Sequence, residues 1–514
     1  MGAERTKVVI FVFALIAIIL AFGFQGTRGI WQPDEGYYVG AATNMMRLGD
    51  LMLPRLGEHS EQIFLDKPPV VYWGIIAGLK VFGHTEFGAR AFHATCYLFT
   101  ILLVYLLGKA MYHDRNKALW AGVIYATMIL PFFACNFVTP DTPLVMWVTL
   151  AALCFWKSIE PERSSAALWK ILICVAGGFG FLTKGPAVFI PCGAMFVYLA
   201  LTRRLVKYML SPALWVGLAV FCVVGLGWYA WVAKSVPGGL AYLVDNQVWG
   251  RLISAKYNRN PGLVGAFIYI PVIIGGTMPW SIICLEKIGK VRNTLFTKAW
   301  LGKLPSGDPA GLFLLCWIVV PLVILSLASS RLGLYALPVF PAIALALARS
   351  WSTKINLFDI RQLWKNPAFF RSPATAICIW VVALLGAKII LANMSSYKDT
   401  RRLWAAMQSF IPEKVPYEII TVDDHADGLM FYGAAEVENV TLGKKTYPTF
   451  VMPEHFRDEL KGFFAENETL LILLRNKRRE EAVINDLNAT NTSFRKVLLP
   501  YERTLFIVPP KIGI

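Results

Sequence analysis

The chain has 514 residues, 56% of them hydrophobic and 16% charged, with a formal net charge of +17 and a mean hydropathy of +0.53. That balance excludes an ordinary water-soluble globular protein, and apolar runs of roughly 16–24 residues recur often enough to predict many membrane-spanning helices. The Lys and Arg excess fits cytoplasmic loops facing anionic lipid better than a nucleic-acid surface, and all nine cysteines lie in apolar runs, which argues against a disulfide framework or a zinc-type cluster.

The first run, 7–24, follows Arg5 and Lys7 as a signal peptide would. No clean small-residue cleavage site follows it and further runs come later, so it reads as a retained helix. Next comes Trp31-Gln32-Pro33-Asp34-Glu35-Gly36-Tyr37-Tyr38, which places two adjacent carboxylates just outside the hydrocarbon. A polar stretch then leads to Asp66-Lys67-Pro68-Pro69. The apolar run 69–83 is short, about 22 Å as a helix, and reads as interfacial. Further spans are expected near 91–111, 118–138, 142–157, 168–182, 186–202, 211–233, 262–285, 310–328, 333–348 and 374–392.

Charge decides the orientation. With a cytoplasmic N-terminus and 69–83 not crossing, the basic clusters at 109–117, 203–207, 287–303 and 349–371 all face the cytoplasm, as the positive-inside rule requires. The same count puts Asp34-Glu35, Asp66-Lys67, the tips 139–141 and 183–186, the loop 234–261 and Ser329-Ser330-Arg331 together on the outer side. After Ala392 polar residues rise and apolar clusters shorten to strand length at 417–422, 470–474, 497–499 and 505–508, with helical patterns at 453–464 and 479–487. The expected organisation is therefore a membrane part, 1–392, whose first outer loop is 25–90, and a small outer α/β domain, 393–514.

The outer residues suggest chemistry. Adjacent acids such as Asp34 and Glu35 either cap the following helix or supply a general base or charge anchor in a dry site. Lys67, in its Pro-flanked turn, either snorkels beside Asp66 or meets a phosphate as a compact point charge. Lys184 and Arg331 sit in short connections between spans and either snorkel to the surface or hold an anion. Asp141 adds an acid, and Arg251 in the 234–261 loop is either a phosphate contact or a solvated arginine. No Gly-rich phosphate cradle precedes a helix, so a nucleotide donor is unsupported. Cations spread over several loops with a nearby carboxylate suit group transfer from a lipid phosphate, with a metal as another way to supply charge. A flippase would need charges inside spans and paired broken helices, whereas these charges lie at loop tips.

Trp31-Gln32-Pro33-Asp34-Glu35, Asp66-Lys67-Pro68-Pro69-Val70-Val71-Tyr72-Trp73, Thr183-Lys184-Gly185, Tyr269-Ile270-Pro271 leading to Pro279-Trp280, and Tyr335-Ala336-Leu337-Pro338 together resemble the GT-C glycosyltransferases that use polyprenyl-phosphate sugars. The likeness is greatest to the bacterial aminoarabinose transferases that modify lipid A. Protein O-mannosyltransferases are more distant relatives. The resemblance implies a mainly α, polytopic transmembrane bundle of GT-C type, about 11–13 spans, with a small C-terminal soluble α/β domain. It implies Asp34 as the essential carboxylate, Asp141 as a supporting acid, and donor or phosphate contacts for Lys67, Lys184, Arg251 and Tyr335; the reading of the residues themselves adds Glu35 as a further acid and Arg331 as a phosphate contact. It also implies an undecaprenyl-phosphate sugar donor, lipid A or another envelope glycan as acceptor, inverting transfer, and a monomer in the bacterial inner membrane with its site facing the periplasm. A divalent metal ion would fall to Asp66, where the family commonly has Glu. The 234–261 loop lacks the family's histidine, and Phe64 stands where a Tyr is usual.

Overall fold

The computed structural model describes residues 2–56, 63–160, 165–245, 249–250, 259–282, 307–350, 373–411, 415–424, 426–433, 437–443, 450, 455–465, 468–475 and 479–510. They fall into two compact units, Met1–Gln25 with Ala91–Lys388, and Gly26–Arg90 with Ile389–Ile514.

The first unit is helical. Among the described residues of the chain, the helices long and apolar enough to cross a bilayer are Glu86–Tyr112, Asp141–Ile159, Ala166–Leu201, Pro212–Ser235, Pro309–Leu327 and Thr375–Asn393. Shorter apolar helices include Lys7–Phe22, Val264–Gly276 and Gly333–Arg349. The runs expected at 168–182 and 186–202 form two helices, Ala166–Lys184 and Phe189–Leu201, joined by a 3-10 turn at Gly185–Val188. Gly185 has φ +60° there, a torsion that a side chain would resist. The helix Ala166–Lys184 packs between Asp141–Ile159 and Pro212–Ser235, while Phe189–Leu201 packs on Pro309–Leu327. Phe155, Tyr198, Phe313 and Trp317 meet in the core between them.

The run expected at 118–138 is broken. Helix Arg115–Thr127, capped by Asp114 accepting from the Asn116 and Lys117 N–H groups, ends where Met128 turns extended, and a second helix covers Ile129–Ala134. Pro131 is the cause: it has no N–H for the Thr127 carbonyl, and its ring would collide with that carbonyl in a continuous helix. Two indoles satisfy the break, Trp380 Nε1 donating to Thr127 O (2.8 Å) and Trp280 Nε1 to Thr127 Oγ1 (2.9 Å). A comparable repair occurs at the end of the first helix, Gly2–Phe22. Buried Lys388, inside an apolar helix, donates to the carbonyls of Leu20 (2.8 Å) and Gly23 (3.0 Å), where helix-end carbonyls lack partners.

The second unit joins the first outer loop to the C-terminal residues. Helices Asp34–Leu48 and Val70–Phe82 pack on each other. The C-terminal part is a five-stranded sheet of order β2-β1-β3-β5-β4, with β1 Tyr417–Val422, β2 Val437–Val440, β3 Thr469–Leu474, β4 Arg495–Leu499 and β5 Arg503–Val508. Parallel pairing of β1 with β2 and β3 buries their side chains on both faces, and β3 accordingly reads Thr-Leu-Leu-Ile-Leu-Leu without alternation. Helices Phe456–Ala465 and Glu480–Ala489 cover the sheet through Phe456, Leu460, Val483 and Leu487. The expected strands and helices are present. The addition is β2, whose Val-Glu-Asn-Val is too short and polar to announce itself.

Candidate active site

The sequence-selected residues divide between the two units. In the second, Asp34 and Glu35 open the helix Asp34–Leu48 and face differently: Asp34 is exposed and Glu35 is 1% exposed. Glu35 Oε1 accepts from Arg28 Nη2 (2.9 Å) and Arg90 Nε (2.9 Å), and Oε2 accepts from Arg90 Nη2 (3.1 Å) and the Trp31 N–H (2.9 Å). Arg90 also donates to the carbonyls of Arg28 (2.7 Å) and Gly29 (2.8 Å), and Arg28 lies over the Trp31 ring. Burial pushes the Glu35 carboxyl upward, but the Arg28 and Arg90 charges and hydrogen bonds outweigh it and hold the group at about 2. Burial and the Arg90 charge lower Arg28 to about 10, against the pull of Glu35. A carboxylate so enclosed is suited to fixing the loop, not to exchanging protons with a substrate.

Next to it the loop is held by the C-terminal part of the same unit. With its amide oxygen turned toward the 427–428 turn, Gln32 accepts from the N–H groups of Gly428 (2.6 Å) and Asp427 (3.2 Å). Gly40 lies so close that a Cβ there would come within 2.5 Å of Asp427 O. Asp427 is itself fully buried and accepts from Asn439 Nδ2 (2.9 Å). Tyr37, stacked on Phe64 at 5.5 Å, has its phenol pKa raised by burial and then by the carboxylates of Asp427, Asp34, Asp66 and Asp424. Sequence reasoning paired Asp34 with Asp66 but missed Tyr37 and Asp427; nothing in the local pattern at 427 marks it out.

Asp66 Oδ2 accepts from the Lys67 ammonium at 2.6 Å, and that lysine is 5% exposed. Among the described residues no group of three His, Cys, Asp or Glu side chains is arranged to hold a metal ion. With one Asp66 oxygen engaged by an ammonium, the described donors do not fit the metal expected there.

In the first unit, Asp141 opens the helix Asp141–Ile159, where the helix dipole favours an anion. Lys184, the last residue of Ala166–Lys184, reaches Asp141 Oδ1 at 2.5 Å with both side chains nearly buried, and its Nζ lies 4.5 Å from the centroid of the Tyr335 ring. Three separated motifs thus meet in one place. His93, also unforeseen, fixes the 139–141 tip by a 3.0 Å contact between its Nε2 and Thr139 O. The hydroxyls of Thr139 and Thr142 are buried without a hydrogen-bond partner among the described residues.

Arg331 is used differently. Its Nε donates to Ser326 O and its Nη1 to the carbonyls of Asn260 and Gly262, each at 3.0 Å, so it pins the 259–262 turn. Arg251 lies outside the described residues. Between helices Gly2–Phe22 and Glu86–Tyr112 runs a crevice of about 290 Å³ lined by apolar and aromatic side chains, Phe13, Ala17, Leu98, Leu102 and Tyr105 among them, which suits a lipid chain and not a sugar.

A helical membrane bundle carrying acids and cations at the ends of its helices, with a small α/β region, is the architecture of the GT-C glycosyltransferases. ArnT from Cupriavidus metallidurans, solved bound to undecaprenyl phosphate, superposes with a TM-score of 0.75 over 97% of both chains at 19% identity. The archaeal oligosaccharyltransferase AglB from Archaeoglobus fulgidus gives a TM-score of 0.52 at 14% identity, covering 99% of this chain and 75% of that one.

Sequence likeness narrows the class. Residues 66–231 match the family described as dolichyl-phosphate-mannose-protein mannosyltransferase. The undecaprenyl phosphate-alpha-4-amino-4-deoxy-L-arabinose arabinosyl transferase 2 of Proteus mirabilis is 28% identical over 75% of this chain and 68% of its own length. The corresponding transferase of Photorhabdus laumondii is 28% identical over 67% of this chain, and the match spans 59% of that relative. The chain resembles the aminoarabinose-transferase-like GT-C glycosyltransferases, and it is a multi-pass membrane protein.

Proposed function

We propose that the chain is an inner-membrane glycosyltransferase that moves a sugar from undecaprenyl phosphate to lipid A or another envelope glycan at the periplasmic face. The observation that carries the reading is the division of labour between neighbouring acids. Glu35 is locked between two arginines, while Asp34, one residue away, is presented at the exposed start of its helix. The names of the relatives support the donor class.

In this reading Asp34 takes the proton of the acceptor hydroxyl as that oxygen attacks the anomeric carbon. The bond from that carbon to the lipid phosphate breaks with its electron pair on phosphate, and attack from the opposite face inverts the centre. Lys67 is the candidate partner of the departing phosphate, whose charge it stabilises, and in the first unit Lys184, steered by Asp141 and Tyr335, is offered for the same role. Arg331 supports this by fixing the 259–262 turn, and Glu35 supports it by positioning. A sugar of the aminoarabinose type is favoured by the named relatives; transfer to a protein hydroxyl is the second reading, favoured by the family match over 66–231.

The test is Asp34→Asn with purified polyprenyl-phosphate sugar, scored for transfer to lipid A and to a peptide. Loss of a general base predicts a fall of about 10²-fold or more in turnover, with unchanged thermal stability. Undiminished transfer removes Asp34 from the mechanism, and transfer to peptide alone moves the acceptor to protein.

A further inference from the structure

Four residues beyond the last apolar helix, Pro373–Asn393, stands Tyr397, 42% exposed, with Met394 between them 52% exposed. Four residues of chain reach at most about 14 Å, so the ring lies at the depth of the lipid headgroups, where Tyr is enriched. The segment is fixed there and does not trail away. Arg402 donates to Asn393 O (3.3 Å) and Ser395 Oγ (2.8 Å), and Arg503 Nη1 donates to Tyr397 O (3.1 Å).

Two cations converge on that ring. The Arg475 guanidinium lies 4.0 Å from its centroid and the Lys398 ammonium 5.9 Å. Arg475 is exposed and follows β3 directly. Neither cation has a carboxylate partner among the described residues, whereas the neighbouring Arg503 is paired with Asp424 (3.1 Å) and Arg479 with Asp423. The sheet order places the same spot at the carboxyl ends of β1 and β3, the point where the chain reverses its direction of winding. Open α/β sheets take ligands at that point.

Like charges brought to one aromatic ring, neither paired with a carboxylate among the described residues, call for an anion, and the depth selects its source. We propose that Lys398, Tyr397 and Arg475 form a binding site for the phosphate of an anionic membrane lipid, the two cations flanking the phosphate and the ring seated among the headgroups. The site rests on the chain's place in the membrane and not on the glycosyl-transfer reading.

The test uses the full chain in nanodiscs of equimolar phosphatidylglycerol and phosphatidylcholine, with a benzophenone amino acid in place of Met394 as a photo-crosslinker. Capture of phosphatidylglycerol over phosphatidylcholine is expected at about fivefold or more, since a surface Lys or Arg near anionic lipid gains roughly 1 kcal/mol. Lys398→Gln with Arg475→Gln should return capture to the equimolar ratio, and Arg475→Lys should retain most of the preference. Both variants alter side chains that have no ion pair among the described residues, and a size-exclusion profile matching wild type confirms folding. Capture at the equimolar ratio in the wild-type chain overturns the proposal, as does a preference the double variant leaves unchanged. Suppression of capture by inorganic phosphate overturns the lipid source. Loss of transfer in Asp34→Asn leaves all these outcomes untouched.

Discussion

Replacing Glu35 by Gln keeps the shape of the side chain and removes its charge from between Arg28 and Arg90. The magnitude follows from the two displaced pKa values. Holding Glu35 at about 2 rather than the ordinary 4.5 is a stabilisation of about 3 kcal/mol. Burial and the Arg90 charge lower Arg28 to about 10, which offsets part of that gain at neutral pH. Withdrawing the anion leaves the buried Arg28 and Arg90 cations facing each other at a cost of about 3–5 kcal/mol. For a unit of about 190 residues that corresponds to a melting temperature roughly 10 °C lower. Thermal scanning of the full chain in detergent at neutral pH measures it. The pH dependence has a definite sign: the folded value is lowered, so the stabilisation is complete above about 4.5 and fades as pH falls toward 2. The gap between wild type and Glu35→Gln should narrow across that window. A variant as stable as wild type at neutral pH, or a gap that stays constant under acid, refutes the assignment.

Asp141→Asn strands the nearly buried Lys184 ammonium, so a loss of about 3 kcal/mol and a turnover at least about tenfold lower are expected; adding Lys184→Met should recover the melting temperature and not the transfer. Trp380→Phe removes the donor to Thr127 O and is expected to cost about 1–3 kcal/mol, read by thermal scanning, with Trp280→Phe additive to within about 0.5 kcal/mol only if the two indoles act independently. Gly40→Val places a branched side chain against Asp427 O and is expected to cost about 1–3 kcal/mol; an unaffected melting temperature would show that the helix and the 427–428 turn are not held at the distance described.

The helices and strands were readable because hydrophobic period and run length are local properties, and the break at Met128 also had its signal in Pro131. The acids and cations of the site were readable as types, since ionised groups beside apolar runs are costly and rarely idle. Their division of labour was not. Nothing local distinguishes Glu35 from Asp34; the difference lies in Arg90, 55 residues on. Arg331 looked like an anion contact because its carbonyl partners at 260 and 262 belong to a turn some 70 residues earlier. The first outer loop was expected to group with the membrane part, 1–392, and it packs instead with residues 389–514, because Gln32, Gly40 and the 427–428 turn fit one another only in three dimensions.

That discontinuous unit imposes an order on biosynthesis. Residues 26–90 leave the ribosome about 300 residues before the segment that completes them, a wait of roughly 15–60 s at ordinary elongation rates. Through that interval Arg28, Glu35 and Arg90 can find one another, but Gln32 and the small-residue face around Gly40 have no partner. A nascent chain stalled or truncated before residue 389 would carry its first loop unfinished, however well its membrane helices had inserted.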